Sequence, residues 1–309
     1  MKETLSVPRY TELPQIPQLG IPTSWDIFPN SLGTLNFIDR GTIKETAHRV
    51  GTGQVFPLSI DSNLLDPPLY GRSATEHTVI ETTRNILEDE LNLFNPQAGS
   101  QWDGLCHIRA REFGFYGGIT DQTQARDALG IHHVASHGIV GRGVLVDVAG
   151  YYGDQWDPMQ ERAVGPDEVR AILSAQGTSL QEGDILCLRF GWIAEYRSRK
   201  TRGADITKTG LVFAGLSAAN DLVEYLWNSR VAAVATDNPG VESSPGNKIT
   251  GSLHRKLIPG LGYPLAELLD FEELAAACHK KGSYEFLFTA APLPIHGGVS
   301  STANALAIL

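Results

Sequence analysis

Residues 138–148 read GIVGRGVLVDV, and this run decides the kind of fold that the sequence can adopt. Val144 to Val148 is rich in β-branched residues and follows closely spaced glycines, a pattern typical of a buried strand. A second run of this kind, DILCLRFGW, occupies residues 184–192. Between them, residues 166–176 begin with a proline, carry acids in the first turn and precede a glycine, which predicts a helix. Strand, helix and strand in this order predict an α/β fold.

Segments on both sides extend the alternation. The pattern predicts further helices at about 41–50, 217–230 and 271–280. The sequence contains neither GxGxxG nor GxxxxGK[ST], so no nucleotide-binding loop is indicated. It also contains no internal repeat and no linker between domains. We therefore predict one mixed α/β domain over residues 31–309, preceded by a proline-rich and polar surface arm at residues 1–30.

Composition and charge restrict the partners of this domain. The 309 residues are 42% hydrophobic and 19% charged, which is typical of a soluble globular protein. A formal net charge of -10, without a basic stretch, argues against nucleic acid or an anionic membrane as a partner. The N-terminus lacks an apolar signal segment, and no run approaches the roughly 18 apolar residues of a membrane span. We expect a cytoplasmic protein that acts on a small molecule.

The three cysteines are widely spaced and form no CxxC pair. A disulfide framework and a structural zinc site are therefore both disfavoured. No G-x-S-x-G elbow surrounds a serine, so a nucleophilic triad is disfavoured as well.

Polar residues cluster around residues 100–108, which read SQWDGLCHI. Gln97, Gln101, Asp103 and His107 follow one another at short intervals, but nearby glycines and a proline make a helix improbable. A tight loop is the better interpretation, and loops often carry functional sites. The alternative is structural: Asp103 caps a turn and His107 is an interior histidine with its hydrogen bonds satisfied.

A second polar pair, His254 and Glu267, is separated by 13 residues in a segment that can bend back between neighbouring strands. Histidine and carboxylate are common ligands of first-row metals. The pair alone is weak evidence, because histidine and glutamate are also frequent on protein surfaces.

Histidines form a third group of candidates. GIHHVASHG contains His132, His133 and His137, but no neighbouring carboxylate or cysteine completes a zinc set. His296 stands in PIHGG, where the glycines would let a ligand approach the backbone.

Taken together, several blocks resemble the cyclase family that contains bacterial kynurenine formamidase and isatin hydrolase. The resemblance runs from about residue 33 to the C-terminus. It rests on ordered blocks that include SQWDGLCHI, FYGG, LGIHH, GDILCLRFGW, GLSAAN, VAAVATDNPGVE, LHRKLIPGLGYPLAELLDFEELA and TAAPLPIHGGVSSTANALAI. The central motif is most similar to a longer subgroup with SQWDG in place of the short formamidase motif.

The resemblance implies a swivelling β/α/β domain with a mixed sheet or barrel-like β core, assembled as a homodimer or homotetramer. Short members carry HxGTHxDxPxH, in which two histidines and the aspartate bind a divalent metal and the last histidine is the acid/base group. Asp103 matches that aspartate and His107 the acid/base histidine. A later metal-binding pair matches His254 and Glu267.

This chain departs from the motif at both metal histidines, since Gln97 and Gln101 occupy their positions. A glutamine oxygen is a weaker ligand for Zn²⁺ than imidazole. Two alternatives stay open. The site holds Mn²⁺, Mg²⁺ or Zn²⁺ through Gln97, Gln101, Asp103, His254 and Glu267, or it works without metal.

The resemblance predicts a hydrolase that opens a cyclic or N-acyl amide or ester with metal-activated water, His107 being the acid/base group. A metal-independent lyase, dehydratase or cyclase that uses Asp103 and His107 is the first alternative, and a non-catalytic ligand pocket is the second. An aromatic-lined substrate pocket is the remaining prediction. Its candidate residues are Trp102, Phe115, Tyr116 and Trp192, together with His132 and His296.

Overall fold

A computed structural model describes residues 6–204 and 211–309. The strands are, in chain order, β1 (Gln15–Ile16), β2 (Ile21–Pro22), β3 (Val55–Pro57), β4 (Glu76–Thr83), β5 (Ile86–Asn92), β6 (Gln101–Asp103), β7 (Ile139–Asp147), β8 (Ala163–Val164), β9 (Ile185–Arg189), β10 (Gly215–Leu216), β11 (Ala233–Thr236), β12 (Leu265–Glu267), β13 (Glu285–Ala290), β14 (Ser300–Thr302) and β15 (Ala305–Ile308). The α-helices are α1 (Arg40–His48), α2 (Gln122–Leu129), α3 (Ile131–His137), α4 (Val148–Tyr152), α5 (Pro166–Ala175), α6 (Trp192–Thr201), α7 (Asn220–Asn228), α8 (Leu253–Arg255) and α9 (Glu272–Lys281).

Short helices of other types complete the description. The 3₁₀ turns are Tyr10–Glu12, Gly33–Phe37, Leu69–Gly71, Pro96–Ala98, Arg111–Phe113, Tyr116–Gly118 and Gly153–Gln155. A π-helical segment, Lys256–Leu261, continues directly from α8.

Within the described residues, nine strands form one mixed sheet in the order β14-β6-β12-β11-β9-β7-β13-β15-β3. The four strands from β12 to β7 are parallel to one another, and the strands outside them are antiparallel. The interior of the sheet explains the apolar runs of the sequence: β11 is buried along its whole length, and β9 is buried from Ile185 to Leu188. The predicted mixed α/β fold is confirmed.

The predicted helix at 166–176 is α5, and the amphipathic helix at 217–230 is the shorter α7. Helix α5 buries Val169, Ile172 and Leu173, which recur at helical spacing. The Glu168 carboxylate accepts a hydrogen bond from the backbone N–H of Gly165 (3.1 Å) and so caps the start of this helix.

The segment before residue 31, predicted as a surface arm, sends several side chains into the body of the protein. Tyr10, Leu13, Ile16 and Ile21 are all buried. The Ser24 hydroxyl also donates to the carbonyl oxygen of Leu261 (2.8 Å). Residues 6–30 are therefore packed against the rest of the fold through apolar contacts as well as hydrogen bonds.

Strands β4 and β5 form an antiparallel hairpin in which every residue is exposed. The hairpin lies between Arg72 and Gln97, two residues that reach the candidate site described below. No helix of the described residues has both the length and the apolar character that crossing a bilayer requires.

Strand β6 has one face toward the core, and Trp102 is its central residue. Trp102 is fully buried, packs edge-on against Phe288 at 6.1 Å between ring centroids, and donates its indole N–H to the carbonyl oxygen of Ala303 (3.2 Å). We expect Trp102→Ala to lower the free energy of unfolding by about 3–5 kcal/mol, because it leaves a large cavity in a packed core. Urea denaturation measures this change.

The matched control is Tyr151→Ala, since Tyr151 is an exposed aromatic residue. Its expected effect is within about 0.5 kcal/mol. A loss at Trp102 no larger than that of the control would contradict the assignment of Trp102 to the core.

Candidate active site

A cavity of about 910 Å³ lies over the ends of β6 and β12. Asp103, His107, His254 and Glu267 all line it. These residues come from distant parts of the chain, and each was predicted as a site residue from the sequence. The structure therefore brings the two separate polar clusters together.

Strand pairing places the acidic residues on one side of the sheet. Strand β6 is antiparallel to β12, with Gln101 opposite Glu267 and Asp103 opposite Leu265. Because side chains alternate along a strand, Gln101 and Asp103 face the same way and Trp102 faces the opposite way. Glu267, directly opposite Gln101, shares its face. The pleat thus turns Gln101 and the two carboxylates to the cavity side of the sheet, where the carboxylates line the cavity, and turns the indole to the core.

His254 connects the carboxylates of the floor. Its Nε2 lies 2.8 Å from Oε1 of Glu267, and its Nδ1 contacts Oε2 of Glu242. Burial disfavours the charged imidazolium, but the Glu242 and Glu267 carboxylates outweigh burial and hold the pKa of His254 well above its usual value. His254 is accordingly a cation between two acids.

The two glutamates respond differently to this imidazolium. Burial raises the pKa of Glu267, and the charges of Asp103 and Glu242 add to this effect against the opposing influence of His254. Burial also acts to raise the pKa of Glu242, but the charge and the hydrogen bonds of His254 prevail and lower it. Glu242 is therefore ionised and acts as the counterion of His254, whereas Glu267 is protonated more readily than Glu242.

The two glutamines donate to the carboxylates. Nε2 of Gln97 donates to Oδ1 of Asp103 (2.9 Å), and Nε2 of Gln101 donates to Oε2 of Glu267 (2.7 Å). A carboxylate can only accept these bonds, so it is the amide nitrogens that face the acids. In this arrangement the amide nitrogens of Gln97 and Gln101, and not their oxygens, contact the carboxylates. Metal binding by these two residues through oxygen stays a prediction.

Arg72 contacts an oxygen atom of each of these two glutamines. Its guanidinium donates to the backbone carbonyl oxygen of Gln97 and lies 3.5 Å from Oε1 of Gln101. It also lies 5.0 Å from the ring centroid of Tyr70 in a cation–π contact. Arg72 therefore orients the Gln101 amide so that its nitrogen points to Glu267.

His107 lies beside Asp103 at the cavity wall. Its Nε2 is 3.7 Å from Oδ2 of Asp103, beyond hydrogen-bond range, and its side chain is 23% exposed. Burial lowers the pKa of His107, although the Asp103 carboxylate acts in the opposite direction. The ring is thus neutral near neutral pH, accessible from the cavity and not engaged by its acidic neighbour. A group in this state can accept a proton from a ligand and return it.

The floor also has a donor set that fits a divalent metal. One ligand atom each from Asp103, His254 and Glu267 lies within 4.8 Å of the others. Two carboxylates and one imidazole suit Mn²⁺ and Mg²⁺ better than a site built from several imidazoles or thiolates would. These three residues would hold the ion, which would take the place of the proton on Nε2 of His254, since a histidine must be neutral to bind a metal.

The other predicted site residues lie away from this cavity. Phe115 and Tyr116 are buried, Tyr116 sharing a hydrogen bond with Ser24, and Trp192 is buried against Tyr196. His132 stacks on His296 at 4.4 Å between ring centroids, outside the cavity lining. Trp102 lies in the core, so none of these residues lines this cavity, and their contact with a substrate stays a prediction.

Three residues of the site were missed in the sequence. Glu242 is the last residue of the block VAAVATDNPGVE, where an acid after a turn was a usable signal. Tyr70 and Arg72 lie in a segment without regular periodicity, and nothing in their spacing connects them to Gln101.

Comparison with known proteins identifies the family. A family model described as "Putative cyclase" matches residues 7–243. The chain belongs to the cyclase family. The match ends before His254 and Glu267, which the structure places beside Asp103 of the motif. The resemblance predicted from the ordered blocks is confirmed, whereas assignment to the SQWDG subgroup stays a prediction.

Solved structures agree with this family. A structure described as a novel cyclase shares 27% identity and a TM-score of 0.79, covering 91% of this chain and 97% of its own. An isatin hydrolase bound to the product analogue thioisatinate has 16% identity and a TM-score of 0.61, covering 88% of this chain and 99% of its own. Isatin hydrolase A from Labrenzia aggregata, bound to benzyl benzoate, has 15% identity and a TM-score of 0.59, covering 83% and 93%. The two hydrolases share the fold with this cyclase-family chain. No curated protein matches it.

Proposed function

We propose that this chain is an enzyme that hydrolyses a cyclic or N-acyl amide, or an ester, of a small molecule. One observation carries the proposal: His107, Asp103, His254 and Glu267 converge on the floor of a single cavity. Its volume of about 910 Å³ suits a small-molecule substrate. Membership of the cyclase family supports an enzymatic role.

In the proposed reaction, the hydroxyl of water adds to the carbonyl carbon as the bond to nitrogen or oxygen breaks. The leaving atom takes up one proton, and His107 carries that proton through its Nε2. A divalent cation, when bound by Asp103, His254 and Glu267, supplies Lewis-acid chemistry at the floor. Gln97, Gln101 and Arg72 hold the carboxylates in position.

A second candidate is proton-transfer chemistry without metal, such as dehydration, lactonisation, double-bond migration or ring closure. The observation that favours it is that the amides of Gln97 and Gln101 already occupy one oxygen of each carboxylate. In this case Asp103 and His107 form the acid and base pair.

Mass spectrometry of a reaction panel separates the two candidates. Purified protein is incubated with cyclic imides, lactams, N-acyl anilines and aryl esters, before and after chelation and with Mn²⁺ or Zn²⁺ restored. For the hydrolase we expect products whose summed mass exceeds that of the substrate by one water, and activity that falls on chelation and returns with metal. Products that gain no water, formed equally well after chelation, would overturn hydrolysis and favour the second candidate.

A further inference from the structure

Three basic residues line the outer part of the cavity, opposite its acidic floor. Arg111 and Lys248 are exposed, and Arg255 is half-buried. The same three residues line an adjoining cavity of about 500 Å³, so they stand where the two spaces meet. The cavity is therefore polarised, with negative charge at its buried end and positive charge at its accessible end.

These three cations have no partners within the described part of the chain. None forms an ion pair or a side-chain hydrogen bond there, and Nε of Arg255 is enclosed without any partner. Other arginines behave differently: Arg142 pairs with Asp184 at 2.7 Å and Arg189 with Glu272 at 2.6 Å. In a chain of net charge -10, acidic partners are plentiful. Unpaired cations facing one cavity are therefore available to a ligand.

A buried guanidinium N–H without an acceptor carries a desolvation cost, which a ligand oxygen would remove. Arginine presents a planar fork of donors that matches a carboxylate, and lysine adds a point charge. Arg111 also has a positive φ of 52°, a conformation that non-glycine residues adopt infrequently. Its backbone is thus held in an uncommon state while its side chain borders the cavity.

We propose that Arg111, Lys248 and Arg255 bind a carboxylate of the substrate and so select anionic small molecules. This carboxylate site defines the substrate class of the proposed hydrolase, and so it rests on that proposed function. The acidic floor repels an anion, whereas the basic residues attract it, so the charge arrangement also sets the direction of binding. The carboxylate lies at the accessible end, and the reacting bond lies near His107.

The cavity also has a lining suited to the uncharged body of such a molecule. Tyr70, Ile108, Phe213 and Pro239 line it and offer aromatic and aliphatic surface. A ligand with a carboxylate, an apolar ring and a reactive carbonyl group therefore matches the three kinds of surface that line the cavity.

Calorimetry with benzoate and benzamide tests the carboxylate site, because the two probes are nearly equal in shape and differ in charge. We expect benzoate to bind at least about tenfold more tightly than benzamide, the effect of one charge-assisted contact. Arg255→Gln and Lys248→Gln should each weaken benzoate binding by about the same factor and leave benzamide unchanged. Arg255→Lys should restore part of the preference.

Arg84→Gln is the matched control, because Arg84 carries the same charge in the exposed turn between β4 and β5, outside the cavity. Equal affinity for both probes, absence of benzoate binding, or an equal loss in Arg84→Gln would overturn the inference. Thermal melting of each variant confirms that it is folded, and the exposed position of Lys248 makes its variant the safer of the two.

The binding measurement does not depend on catalysis. If the reaction panel yields no hydrolysis but benzoate binding still requires Arg255 and Lys248, the proposed function fails and the carboxylate site stands. If amides or esters are hydrolysed without any preference for anionic substrates, the function stands and the carboxylate site fails.

Discussion

His107→Ala should lower kcat by about 10²–10⁴-fold on the best substrate of the panel, with little change in KM. His107 lines the cavity, and its Nε2 lies 3.7 Å from Asp103 without a hydrogen bond to it. Burial also lowers the pKa of the ring, so the form that accepts a proton prevails near neutral pH. Without the imidazole of His107, no group carries a proton to the leaving atom. Steady-state kinetics on the purified variant measures the loss.

Two further variants separate proton transfer from packing. His107→Gln keeps a polar side chain of similar size but cannot exchange a proton, so it should lose as much activity as His107→Ala. His137→Ala removes an exposed histidine outside the cavity lining whose Nδ1 contacts the carbonyl oxygen of Gly138, and it should leave kcat unchanged. Full activity in His107→Ala would assign the proton transfer to another group, with His254 as the next candidate.

The strands and helices that were predicted are those determined by their own sequence. The buried strands around Val146 and Leu186 are apolar runs, and α5 has a proline, acids and a glycine at the expected places. The order of strands in the sheet could not be predicted in this way. Strand β6 lies between β12 and β14, and these pairings join residues far apart in the chain. Only tertiary packing determines them.

The residues of the candidate site also divide into those that the sequence could predict and those that it could not. Asp103 and His107 carry a motif, and the family resemblance added His254 and Glu267. The sequence predicted a tight loop around Gln101 and Asp103, so the alternation of side chains along β6, which turns Trp102 into the core, was not predicted. Glu242 and Arg72 were not readable, because their roles depend on contacts with His254 and Gln101 that only the folded chain creates.

The glutamines of the floor lead to a prediction on metal affinity. The double variant Gln97→His and Gln101→His should bind Zn²⁺ at least about 100-fold more tightly than the wild-type chain, since each zinc ligand contributes roughly 3 kcal/mol. The physical reason is that imidazole nitrogen is a stronger zinc donor than an amide oxygen. The change also removes the two amides that now donate to Asp103 and Glu267, which frees those oxygens for an ion. Competition against a chromogenic zinc chelator measures the affinity.

Gln122→His is the matched control, because it adds one imidazole at an exposed position at the start of α2, away from the cavity. Its zinc affinity should equal that of the wild type. The single variants Gln97→His and Gln101→His should fall between the wild type and the double variant. If the double variant gains no affinity while it stays folded, then the trio of Asp103, His254 and Glu267 does not form a zinc site with these two positions. Gln97 and Gln101 would then serve to hold the carboxylates of Asp103 and Glu267 in place for proton transfer.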